Sequence, residues 1–110
     1  MMNIRISPEA ANDLEALYLY LSEKFGVSVA KKKLNDIVED FSRLSEYPNI
    51  DTKVFERLDI VTDYKCFYTN NNYVFYRVNE DTISIIRVLD HRRDFMRVLF
   101  GVKMTEDDDD

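Results

Sequence analysis

Residues 64–89, YKCFYTNNNYVFYRVNEDTISIIRVL, decide the fold of this chain. Tyr64 to Thr69, Tyr73 to Val78 and Thr82 to Leu89 are rich in aromatic and β-branched residues, which fit a pleated and half-buried surface. They are separated by Asn70-Asn71-Asn72 and by Asn79-Glu80-Asp81. Asn and Asp tolerate the left-handed backbone that tight reversals need. Three consecutive strands with such short links predict an antiparallel meander. A sheet of this kind needs another layer to cover its apolar face.

The residues before it supply that layer. Asn3 to Ile6 alternates polar and apolar and then meets Ser7-Pro8, which predicts a short strand followed by a helix. Ser7 suits the cap, Pro8 the first helical position and Glu9 the positive end of the dipole. Leu14, Leu17, Tyr18, Leu21 and Phe25 share one face, and Gly26 offers a helix-ending conformation, so the first helix is expected over Pro8 to Phe25. Ser28 is expected to cap a second helix carrying Ala30, Leu34, Ile37, Val38, Phe41 and Leu44 to a stop at Tyr47-Pro48. The two helices form a hairpin. In residues 49–63 charges at Lys53, Glu56, Arg57 and Asp59 interrupt any clean period, and a loop is expected. After the strands, Phe95, Met96, Val98, Leu99 and Phe100 suit a short final helix. The fold class is α+β, in the order β-α-α-β-β-β, with a helical hairpin on a mostly antiparallel sheet and a short C-terminal helix. Residues 1–104 are expected to form one domain, followed by an acidic tail over 105–110.

Composition narrows the function. With 45% hydrophobic and 33% charged residues, seven Tyr and seven Phe, the 110-residue chain is too apolar and aromatic to be disordered. The net charge of −6 is concentrated at the end. Residues 1–104 carry 16 acids against 15 bases, so the body is nearly neutral. The tail reads as a native solvated end, a mimic of nucleic-acid charge, or an appended stretch. No window approaches 18 apolar residues and the first residues lack a signal-peptide core, so a cytoplasmic protein without membrane contact is expected. One Cys (Cys66) and one His (His91) give no metal cluster, and no phosphate-binding or dinucleotide loop occurs. No cofactor is expected, and no pattern sets an oligomeric state.

The densest chemical grouping is Arg87, His91, Arg92, Arg93 and Arg97, within 11 positions. Guanidinium forks bind phosphates and carboxylates, which suits a nucleic-acid or acidic partner surface. Asp90 and Asp94 sit among them and would instead make an ion-paired face. His91 has the residue type for proton transfer near neutral pH, or for an ordinary surface role. Cys66 reads as a small core residue, and Lys31-Lys32-Lys33 as a solvated helix face. The strand aromatics Tyr64, Phe67, Tyr68, Tyr73, Phe75 and Tyr76 read as core ahead of base-stacking.

Ile6-Ser7-Pro8-Glu9-Ala10 with Asp13-Leu14, then Tyr73-Val74-Phe75-Tyr76-Arg77-Val78, then Ile85-Ile86-Arg87-Val88-Leu89-Asp90-His91-Arg92-Arg93-Asp94 resemble, in this order, the RelE/ParE superfamily of bacterial toxin–antitoxin toxins. The resemblance runs from Ile4 to about Phe100. It implies a small α+β toxin held inactive by a cognate antitoxin that wraps its surface. RelE-like members cut messenger RNA on the ribosome, whereas ParE-like members poison DNA gyrase. A basic residue usual early on the RelE-like strand is Tyr73 here, and Tyr73 to Val78 with Ile85 to Leu89 sits closer to the ParE-like wording. The resemblance therefore implies a toxin that arrests growth through gyrase. The alternatives are a ribosome-dependent mRNA endonuclease and a degenerate toxin acting only by binding antitoxin. For an endonuclease, Arg87, His91, Arg92 and Arg93 are the local group to supply base, acid and positive charge at the phosphate. For a binding toxin, the expected partner surface is Arg92, Arg93, Phe95, Met96 and Arg97.

Overall fold

A computed structural model describes residues 2–69 and 71–101. The elements are β1 (Asn3–Ile6), α1 (Pro8–Phe25), α2 (Val27–Glu46), α3 (Val54–Arg57), β2 (Lys65–Thr69), β3 (Asn72–Asn79), β4 (Thr82–Asp90) and α4 (Phe95–Phe100). The four strands lie in the order β1-β4-β3-β2. β2, β3 and β4 form the expected antiparallel meander, and β1 adds to the outer edge of β4 in parallel, Ile4 opposite Ile83 and Ile6 opposite Ile85. Parallel pairing needs a crossover, and the α1–α2 hairpin carries the chain from β1 at one edge of the sheet to the meander that begins with β2 at the other. Asn71 (φ 64°) and Glu80 (φ 47°) take the positive backbone angles of the two reversals.

Ser7 caps α1 by accepting the Ala10 N–H at 2.9 Å, and its hydroxyl donates to the Ile86 carbonyl at 2.8 Å. The cap thus ties the helix to β4. Gly26 joins the two helices with φ 99°, where a side chain would be strained. Its N–H closes α1 on the Ser22 carbonyl, and its own carbonyl accepts from Ala30. The expected cap at Ser28 is corrected here: α2 starts at Val27 with Gly26 as its cap and no side-chain bond. The glycine turn is so tight that Ser28 is already inside the first turn.

Two cores lie on opposite faces of the sheet. Ile37, Phe41 and Leu44 of α2 and Ala10 of α1 pack on Val74, Tyr76, Ile83 and Ile85. On the reverse face Phe55, Phe95 and Met96 pack on Cys66, Phe75 and Leu89. The second core corrects the loop expected over residues 49–63. That segment holds the one-turn helix α3, entered through Lys53 (φ 62°) and left through Asp59 (φ 59°). A single turn is too short to show a period; it is held by Phe55, whose ring meets Phe75, Phe95 and Phe100 at centroid distances of 5.9, 6.0 and 5.9 Å. Among the strand aromatics, Phe67, Phe75 and Tyr76 are buried while Tyr68 is exposed.

Between Phe75 and Tyr76 the β3–β4 register slips by one, since Phe75 faces Arg87 and Tyr76 faces Ile85. Ile86 is the extra residue of a β-bulge on β4. The bulge lies directly before Arg87, which pairs with Asp13 of α1. The acidic tail over 105–110 falls outside the described residues.

Candidate functional site

The site is assembled where the end of β4 and the turn after it meet the inner face of α1. Asp13 stands one residue before Leu14 and four before Leu17, at the edge of the apolar stripe that faces the sheet. Its carboxylate accepts Arg87 Nε and Nη2, both at 2.8 Å, and the backbone N–H of Val88 at 2.9 Å. The Arg87 side chain is 23% exposed and that of Asp13 12%, so the pair is partly withdrawn from water. A two-pronged, charge-assisted contact of this kind fixes direction as well as distance. The Asp13 hydrogen bond pushes the Arg87 pKa further up, so Arg87 cannot give up its proton.

Asp90 organises the turn beyond β4. Its Oδ1 accepts the Arg92 backbone N–H at 2.8 Å and Arg92 Nε at 2.9 Å, and its carbonyl accepts Arg93 N–H at 2.9 Å. The Arg92 contact holds the Asp90 carboxyl below the usual carboxylate range. His91 is pinned from the other side. Its N–H donates to the Asn71 carbonyl at 2.9 Å, and its ring Nδ1 lies 3.2 Å from the same oxygen. A carbonyl can only accept, so that contact assigns the ring proton to Nδ1. Among the described residues Asp94 makes no ion pair with an arginine; its side chain caps α4 by accepting the Arg97 N–H.

Between this turn and the hairpin runs an open groove of about 760 Å³. Leu17, Tyr20, Leu21 and Phe25 form its apolar wall, and Lys33, His91, Arg92 and Arg93 its basic rim. Tyr20 and Phe25 are 47% and 62% exposed, large rings that α1 leaves open to solvent beside the groove. Partial burial lowers the Lys33 pKa, against the opposing pull of Asp90 and Asp36.

The structure thus brings Arg92, Arg93 and His91 to one rim, while Arg87 lies beneath it as an anchor to α1. Arg93 and Arg97 are exposed. Phe95 and Met96, expected on the partner surface, are 6% and 9% exposed and belong to the second core. They hold α4 in place and leave Arg97 as the exposed one among these three. Asp13, Tyr20 and Lys33 were not among the expected site residues. For Asp13 a signal existed, a carboxylate beside the sheet-facing stripe of α1. Among the described residues no group of three His, Cys, Asp or Glu side chains could hold a metal ion.

Comparisons with known proteins agree with this architecture. Residues 4–95 match the family described as the ParE toxin of type II toxin–antitoxin systems, parDE. Toxin ParE3 of Caulobacter vibrioides is 34% identical over 89 residues, which cover 81% of this chain and 85% of that protein. A solved chain of the chromosomal ParDE toxin–antitoxin system from P. aeruginosa superposes with a TM-score of 0.69 at 23% identity, over 82% of this chain and 96% of that one, a likeness of fold. With the family match spanning nearly all of the described residues, this chain belongs to the ParE toxin family of type II toxin–antitoxin systems.

Proposed function

We propose that this chain arrests bacterial growth in the cytoplasm by inhibiting DNA gyrase, and that a cognate antitoxin neutralises it by covering the groove side of the molecule. The observation that carries the gyrase reading is the state of the charges that RNA cleavage would need. Attack of a 2′-hydroxyl on its own phosphate requires a base, an acid and unspent positive charge at the phosphate. Here Arg87 is forked onto Asp13, Arg92 onto Asp90, and His91 leans on the Asn71 carbonyl, so of the four expected groups only Arg93 keeps an unpaired charge among the described residues, a phosphate contact without a poised base and acid beside it. Tyr73, where the RelE-like pattern has a basic residue, is an aromatic core partner of Phe75 and Phe95. Inhibition by binding needs none of these groups to be free. It needs a surface, and Arg92, Arg93 and Arg97 project from one.

The antitoxin reading follows from family membership and from the groove, whose exposed rings and basic rim suit an apolar and acidic segment that folds on binding. Among the described residues no helix is long and apolar enough to cross a membrane. The test is a plasmid supercoiling assay with purified gyrase, paired with a cell-free translation reaction. Loss of supercoiling at concentrations that leave the messenger intact is the expected result. Intact supercoiling with cleaved messenger would replace gyrase by the ribosome. Induction without its antitoxin that leaves growth and both assays unaffected would make the chain a binding protein only.

A further inference from the structure

We infer that the basic groove is the docking site of the chain's own acidic C-terminal segment, Glu106 to Asp110, so that the toxin carries a tethered competitor for its partner surface. Three observations lead there. The groove rim gathers Lys33, Arg92, Arg93 and His91, while only Asp13 and Asp90 face them from the same lining. Asp13 is already spent on Arg87 and Asp90 on Arg92, and Arg93 makes no ion pair among the described residues. By formal charge the lining holds Lys33, Arg92 and Arg93 against Asp13 and Asp90, a net positive balance in a body that is otherwise close to neutral. Elsewhere several described cations are ion-paired, Lys32 on Asp36, Arg43 on Asp40 and Arg77 on Asp63.

The segment is of the right charge and within reach. It carries five carboxylates in succession, Glu106 to Asp110. The six residues of α4 separate Gly101 from the turn that bears Arg92 and Arg93, about 9 Å of helix. Residues 102–110 can span up to about 30 Å when extended. A short tether keeps an effective concentration on the order of millimolar, so even a contact with a Kd of about 1 mM between separate molecules is half-formed within one chain. The contact is electrostatic and must weaken with salt, since the screening length falls from about 10 Å at 0.1 M to about 3 Å at 1 M.

The seating does not depend on gyrase being the target. Its consequence, that an acidic partner must displace the segment, rests on the antitoxin reading above. The test compares backbone amide spectra of the full chain with those of the full-length variant carrying Asp107→Asn, Asp108→Asn, Asp109→Asn and Asp110→Asn. Shift differences at Lys33, His91, Arg92 and Arg93 at about 20 mM salt, fading by about 0.5 M, are expected. Differences confined to residues 102–110, or centred on Lys31 and Arg43, would overturn the inference. A dependence on protein concentration would overturn it as well, by placing the segment on a second copy. As a second readout, a labelled peptide of Met104 to Asp110 should bind the Asn variant at least about twofold tighter than the native chain, and Arg93→Glu in that variant should abolish the binding. Equal affinity for both chains would sink the proposal, whatever the supercoiling assay shows.

Discussion

Asp13 does three jobs with one carboxylate. It neutralises Arg87, satisfies the Val88 N–H beside the bulge, and ties α1 to β4 across 74 positions of sequence. Replacing it by Asn keeps the volume and one acceptor but leaves a partly buried guanidinium without its counter-charge. Asp13→Asn should cost about 2 kcal/mol, in line with charge-assisted bonds of this burial, read as a lowered urea midpoint with unchanged slope. A change below about 0.5 kcal/mol would show the fork to be dispensable. Asp90 makes a pH-dependent contribution of predictable sign. Arg92 holds its folded-state pKa below the ordinary value of about 4, so the carboxylate stabilises the turn fully above that value and the effect disappears as pH falls through the depressed one. Asp90→Asn preserves an acceptor for the Arg92 N–H and removes only the charge. Urea midpoints should therefore differ between the two chains at pH 6 and converge towards pH 2, and a constant difference would exclude charge as the cause. Neither residue pairing was legible beforehand in full. Asp90 beside Arg92 could be suspected from adjacency, whereas Asp13 and Arg87 meet only through folding.

At the scale of elements, local rules served well wherever the element was long or its ends were chemically marked. Ser7-Pro8-Glu9 starts α1 where capping chemistry places it, Tyr47-Pro48 ends α2, and Asn71 turns the first hairpin of the meander, while in the second the positive angle falls on Glu80 rather than on Asn79 or Asp81. The failures have a common physical form. Ser28 has the chemistry of a cap, but Gly26 reverses the chain so sharply that the helix begins before it. Helix α3 has no periodicity to read, because its stability comes from one ring inserted among four others rather than from its own four residues. Phe55→Ala should accordingly cost about 3 kcal/mol and loosen α4 along with α3, since Phe95 and Phe100 both rest on the missing ring. Hydrogen exchange would show faster exchange at residues 95–100 with the β1–β4 amides unaffected; uniform acceleration would mean that the second core is not a separable unit.

The whole molecule is a sheet buried on both faces, and its lone thiol reports on that arrangement. Cys66 sits on β2 in the second core with no exposed surface, and burial pushes its pKa up to about 12. At pH 8 the native thiol is protonated and out of reach of water. Labelling by a thiol reagent should then be slower than that of a free cysteine by a factor close to the unfolding equilibrium, and should rise with urea along the global unfolding curve. Rapid labelling without denaturant would reveal an opening of the α3–α4 face independent of the hairpin. The same two-sided burial shapes the proposed partner surface: α4 turns Phe95 and Met96 into the core, so what it offers outward is Arg97 with part of the Phe100 ring.

By itself the sequence determined the element order, the meander, the hairpin and the family resemblance, because each rests on interactions between residues a few positions apart: alternation, helical stripes, caps and tight turns. It also collected the arginines into one short stretch. Only the tertiary structure decided what those arginines do. The bulge at Ile86, the fork of Arg87 onto Asp13, the burial of Phe95 and Met96, and the groove between Phe25 and Arg93 all depend on which distant surfaces are pressed together. A charge is free or spent according to what stands opposite it, and what stands opposite is set by packing that no local pattern encodes.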